Sequence, residues 1–155
     1  MFRNKKSGFT IIEVVLVLAI AGLIFLMVFI ALPALQRSQR DSQRKNDLGR
    51  AISAVQSFQA NNRGRAPGRG EFSRIIQPSY LEQYEPFLDP DGSNYRIWNN
   101  NSVAEGVMKD SSGDTIIRVH WDSTCDGSDV IVKNGSNNIA LTIILEGGGV
   151  YCANN

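Results

Sequence analysis

Residues 14–35 carry no charged and no strongly polar side chain. As a helix, about 22 residues rise roughly 33 Å, enough to cross the hydrocarbon core of a bilayer. This segment therefore meets a membrane, and the rest of the chain must fold around that fact. The 43% hydrophobic content of the 155 residues is concentrated there, and the remainder is polar and rich in Gly, Asn and Ser. A head built from roughly 90–100 such residues buries a modest core and gains from a staple or a partner. The formal net charge of +1 selects no class of partner.

The flanks of the run restrict its role. A secretory signal has a shorter apolar core followed by a small-residue cleavage site. Here the A-x-A triplet Ala19-Ile20-Ala21 lies mid-run, and Leu32-Pro33-Ala34 is a poor substitute. Arg3, Lys5 and Lys6 precede the run and favour a cytoplasmic N-terminus by the positive-inside bias. Arg37, Arg40, Arg44, Lys45 and Arg50 follow it and pull the other way, so charge bias alone leaves the topology open.

Glu13 stands at the mouth of this run. Thr10-x-x-Glu13 before an apolar stretch is the pattern of a capping box, which closes the free amides of a helix start. That explains the residue types but not the place. A carboxylate at bilayer depth costs about 2.5–3.5 kcal/mol, against about 1 kcal/mol for a cap. The nearest cation in the translated sequence is Lys6. A cut after Gly8 would create an α-amine on Phe9, four residues from Glu13, and the same geometry would let Glu13 reach the amine of a neighbouring subunit.

Lys5-Lys6-Ser7-Gly8, then Phe9-Thr10-Ile11-Ile12-Glu13 and a long apolar helix, resembles the class III leader of type IV prepilins and pseudopilins. The resemblance covers about the first 30 residues. It implies a prepilin peptidase that cuts after Gly8 and methylates Phe9, and a Glu13 that sets subunit register during assembly. It also implies a single-pass protein of the cytoplasmic membrane with its N-terminus inside, which later enters an extracellular pilus or a periplasmic pseudopilus.

Beyond the run, Leu48, Ile52, Val55 and Phe58 fall at helical spacing on one face, so a helix continues over residues 36–62 and packs on the protein's own core. Together the two stretches make a helix of about 50 residues. Pro33 is expected to kink it or melt it locally. The cluster Gly64 to Gly70 (GRAPGRG) ends it. A short helical turn at residues 72–76 and a tight turn over Leu88 to Tyr95 are expected next, the latter similar to a turn of many pseudopilins. Residues 115–121, 129–133 and 139–145 read as strands, with Ile117, Val119 and Trp121 on one side and Arg118 and His120 on the other. Gly147-Gly148-Gly149 turns into a last strand holding Cys152. The expected fold class is α+β and pilin-like, a long N-terminal α-helix packed against a small C-terminal antiparallel β-sheet. The expected divisions are a leader over residues 1–8, an assembly helix over 9–35, its amphipathic continuation over 36–62 and a head over 63–155. Cys125 and Cys152 fall in the part outside the cytoplasm, where disulfides persist, and are expected to be joined and to tie the last strand to the sheet.

Other groupings carry less. His120 has no second histidine to work with and reads as an ordinary residue of a polar strand face. Asp89, Asp91 and Ser93 begin a calcium-type loop that lacks its closing glutamate, and Asp126 and Asp129 lie near Cys125 with Asp122. Because some pseudopilins hold calcium near their C-terminus, Asp89, Asp91, Asp126 and Asp129 are weak calcium candidates, with turn-forming aspartates the preferred reading. No cofactor is implied. Asn100-Asn101-Ser102 and Asn134-Gly135-Ser136 match the glycosylation pattern at near-chance level. The basic cluster from Arg37 to Arg50, continued by Arg63, Arg65, Arg69 and Arg74, reads first as a solvated charge belt between subunits. DNA is a weaker partner, because no aromatics alternate with the arginines.

The function these features imply is structural and not enzymatic: a pilus subunit that polymerises with itself or other pilins, after handling by the peptidase and the pilus assembly platform, in a filament serving adhesion, motility or DNA uptake. The alternatives are a pseudopilin of a type II secretion or competence system and, in another class, a stationary membrane-anchored binding domain.

Overall fold

The computed structural model describes residues 8–83, 85–98, 108–133, 135 and 137–155. The basic residues of the leader and the acceptor asparagines of both glycosylation patterns, Asn100 and Asn134, lie outside the described residues. The chain divides into two units, Met1–Gln36 and Arg37–Asn155.

In the first unit the described residues are the start of helix α1, Ile11–Asn61. From Phe9 to Leu35 its large apolar side chains are 45–89% exposed. The helix contains an 18-residue window apolar enough to cross a membrane, none of it buried. Pro33 lies inside α1, which continues through it. The locally melted stretch expected there does not form, because losing one amide removes a single bond from an otherwise intact ladder.

In the second unit α1 presents Leu48, Ala51, Ile52, Ala54, Val55 and Phe58 to the core, each at most 7% exposed. This is the predicted stripe, widened by two alanines that let the sheet approach closely. The helix ends at Asn61. Gly64 N–H donates to Gln59 O at 2.8 Å, with Arg63 (φ 56°) and Gly64 (φ 80°) in the left-handed conformation that turns a chain out of a helix. The expected short turn at residues 72–76 is longer, a π-helical segment Phe72–Leu81 with Pro78 inside it. Its wide turns bring Phe72, Ile76 and Leu81, spaced four and five apart, into the core.

Six strands follow: β1 Tyr95–Trp98, β2 Thr115–Trp121, β3 Ser123–Asp126, β4 Asp129–Val132, β5 Ile139–Ile144 and β6 Val150–Asn154. Four form a sheet in the order β1-β2-β5-β6, and β3 and β4 form a separate hairpin. The β2, β5 and β6 ladders are antiparallel, as expected, but β1 pairs with β2 in parallel. The two strands are separated in sequence by more than the dozen residues that a parallel connection needs.

Register separates the two sheet faces. Ile117, Ile143 and Tyr151 align across β2, β5 and β6, as do Val119, Leu141 and Ala153, and all belong to the core that packs on the 48–58 face of α1. Arg118, Thr142 and Cys152 align on the opposite face. Sequence alternation gave that face to solvent, yet Arg118 is 1% and His120 2% exposed. The disulfide between Cys125 and Cys152 explains the difference: it holds the β3–β4 hairpin over this face, and Cys125 N–H also donates to Asn154 Oδ1 at 3.3 Å. The bond therefore does not tie β6 to the sheet, since β6 already has its ladder with β5; it ties a second layer to β6.

Candidate functional site

The segment at the start of α1 is built from local interactions. Gly8, Phe9 and Thr10 are non-helical, and the helix begins at Ile11. Thr10 N–H and Thr10 Oγ1 each donate to Glu13 Oε2 at 2.8 Å, while Glu13 N–H donates back to Thr10 Oγ1 at 3.4 Å. This is a capping box with an added hydroxyl-carboxylate bond. It fixes where the helix begins and folds the Glu13 carboxylate back toward Thr10 and Phe9, instead of along the apolar flank. Phe9 is 89% exposed, and the Gly8–Phe9 peptide bond precedes the helix. The cap and the intramembrane reading of Glu13 are thus compatible: one carboxylate can close the helix start and still face the chain end.

Residues 3–29 match the prokaryotic N-terminal methylation motif, the class III leader of type IV pilins. The chain carries a pilin-type leader. No curated protein and no solved structure matches it. The pilin-type leader implies processing by prepilin peptidase and assembly into pilin polymers, and with the apolar helix it fits anchoring in a membrane before assembly. The fold is pilin-like in the same sense, a long N-terminal helix with an antiparallel-rich sheet.

The remaining sequence candidates land in two places. Cys125 and Cys152 are joined. Asp126 and Asp129 face each other across the β3–β4 turn and are exposed. Asp89 is not open to a cation from solvent: its two oxygens accept from Nε and Nη2 of Arg44, both at 2.7 Å. Asp91 pairs with Lys109. Among the described residues, no group of three His, Cys, Asp or Glu is placed to hold a metal ion. His120 is buried, with Nε2 at 3.0 Å from Thr142 Oγ1, and burial, followed by the charge of Arg118, pushes its pKa below 6.5.

The basic cluster is the largest departure from the sequence reading. Arg44 is fully buried, and Arg40 Nη2 lies 2.6 Å from Glu146 Oε2. Arg44 also donates to Glu146 Oε1 at 2.8 Å and to Asp41 Oδ1 at 3.1 Å, and Asp41 accepts the amides of Glu146 and Gly147 at 2.8 Å each. One helical turn further, Asp47 accepts from Tyr95 Oη at 2.9 Å. Burial opposes the charge on Arg44, but Asp89 and Glu146 outweigh it, so its pKa is raised; Glu146 is lowered, first by Arg40. Arg44 is thus internal and Arg40, half-buried, is paired with Glu146, so only part of the cluster remains for a solvated belt. Asp41 and Asp47, interleaved with the arginines at helical spacing, were the available signal for this, because alternating charge on one helix face matches inward partners as readily as water.

Proposed function

We propose that this protein is a structural subunit of a type IV pilus. Residues 1–8 act as the leader, and prepilin peptidase cuts between Gly8 and Phe9 and methylates the new Phe9 amine. The precursor waits as a single-pass protein in the cytoplasmic membrane with its N-terminus inside. Subunits then leave the bilayer and polymerise through residues 9–35 into an extracellular filament, with residues 36–62 carrying the head over residues 63–155. The role is that of a building block, with no catalytic step assigned to its side chains.

One observation carries this reading: the methylation motif over residues 3–29 contains Gly8, Phe9 and a carboxylate, Glu13, which the capping box turns toward the point of cleavage. Cutting there creates a cation beside Glu13, and that cation offsets the cost of holding a carboxylate at bilayer depth. An amine supplied by a neighbouring subunit satisfies Glu13 in one register along the filament and no other.

The test is co-expression with a prepilin peptidase, followed by intact mass and electron microscopy. The expected product starts at Phe9 with one added methyl group and appears in surface fibres. Glu13→Val should insert and be cut, because it makes the span more apolar, yet assemble poorly. Retention of residues 1–8 would identify a stationary membrane-anchored domain instead, and processing without surface fibres would identify a pseudopilin.

A further inference from the structure

Among the described residues of the Arg37–Asn155 unit, one grouping of charge draws on three separated stretches: α1 through Asp41 and Arg44, loop 88–94 through Asp89 and Asp91, and turn 145–149 through Glu146. Each loop has its own internal order. In loop 88–94, Asp89 N–H donates to Ser93 O at 2.9 Å, Gly92 N–H to Asp89 O at 2.8 Å and Asp91 N–H to Asp89 Oδ1 at 3.0 Å. In turn 145–149, Leu145 N–H donates to Gly149 O and Gly148 N–H to Leu145 O, both at 3.1 Å.

A single guanidinium nitrogen is common to both. Arg44 Nη2 is 2.7 Å from Asp89 Oδ1 and 2.8 Å from Glu146 Oε1. Its surroundings make this sharing consequential, because the side chains of Arg44 and Asp89 are both 0% exposed. A buried cation that loses one of its carboxylates must shift or admit water to recover the missing interaction. Either response disturbs the other carboxylates it holds. The outer parts of both loops, Asp91-Gly92 and Gly147-Gly148-Gly149, are exposed, so a contact made on one loop reaches the other through this nitrogen.

We propose that Arg44 is a shared clasp that couples loop 88–94 to turn 145–149, so that loosening either loop loosens the other. The coupling holds whatever larger assembly the protein enters.

Amide hydrogen exchange on the full chain in detergent micelles tests it. Glu146→Gln should speed exchange at Asp91 and Gly92 by at least about fivefold, although Glu146 belongs to the other loop, while the β2–β5 ladder amides stay protected. Asp89→Asn should do the same to Gly147 and Gly148. Arg44→Lys keeps the charge but replaces the planar fork with a point charge, and should loosen both loops together. If each carboxylate variant speeds only its own loop, or if Arg44→Lys leaves both protected, the clasp is refuted. Should Asp89→Asn unfold the head, exchange at residues 88–94 in Glu146→Gln decides alone.

Discussion

Two stretches of α1 handle charge in opposite ways. Over residues 9–35 the helix keeps its apolar side chains exposed and carries one carboxylate, Glu13, whose hydrogen bonds among the described residues come from Thr10, a neutral group. Over residues 40–58 it buries Asp41, Arg44 and Asp47, and each of these meets charged or hydroxyl partners within the same unit. The comparison teaches that a charge completed inside the chain is a device for folding. One left with neutral partners in an apolar segment is a device for meeting something else. Arg44 should therefore matter to the stability of an isolated subunit, and Glu13 to what subunits do together.

Substitution at Arg44 should have the strongest effect. Arg44→Met removes the cation and leaves Asp89, Glu146 and Asp41 facing one another, which should destabilise the head by about 3–5 kcal/mol in thermal or denaturant unfolding. Glu13→Val should leave that unfolding transition unchanged. A variant pair that behaved the other way round would overturn the division of roles.

Next in size is the disulfide. Cys125→Ser with Cys152→Ser opens a loop of sequence separation 27, and should cost about 3–4 kcal/mol in the chain-entropy model. Because the bond holds the hairpin over Arg118 and His120, the same variant should move the pKa of His120 back toward 6.5, which a ring-proton NMR titration would show.

His120 should also make stability depend on pH. The folded pKa of His120 lies below its unfolded value of 6.5, so its contribution is complete above pH 6.5. As pH falls below 6.5 the unfolded chain takes up a proton that the folded chain refuses, and stability declines until the folded pKa is passed. Denaturation midpoints measured between pH 7.5 and 5.5 should fall in the wild type and fall less in His120→Leu, about two units of pH being enough to resolve the slope.

The smallest effect belongs to Gly147. A Cβ there would meet Asp41 Oδ2 at 3.0 Å, and that oxygen is held by the amide of Gly147 itself. Gly147→Ala should cost about 1 kcal/mol, read as a small shift of the unfolding midpoint.

Much of this arrangement was legible in the residues. The uncharged run, the Thr10–Glu13 pattern and the Leu48, Ile52, Val55, Phe58 stripe each depend on spacing along a single helix, and periodicity reports such spacing directly. The turn before Tyr95 and the glycines before Val150 were equally local. What could not be seen depends on distance. Parallel pairing of β1 with β2 depends on residues far apart in sequence, and Ser123–Asp126, polar at three of its four positions, lacks the apolar run that announced Asp129–Val132. Arg118 and His120 alternate as a solvent face should, and only the hairpin folded over them reverses that reading. Arg44 resembles its neighbours Arg37 and Arg40 in sequence; its burial is decided by Asp89 and Glu146, which lie 45 and 102 residues away.

Those separations also set a timetable. Arg44 and Asp41 emerge early in synthesis, whereas Glu146 and Gly147, their acceptor and donor groups, come 102–106 residues later along with β6. Contacts of such long range are made late, after the intervening chain has lost its freedom. Until the final strand arrives, the second turn of this grouping is missing, and the half-formed head holds a cation with part of its complement. Completion of the head thereby waits for residues 145–149, and a subunit cut short before them is left with an incompletely paired cation in its core.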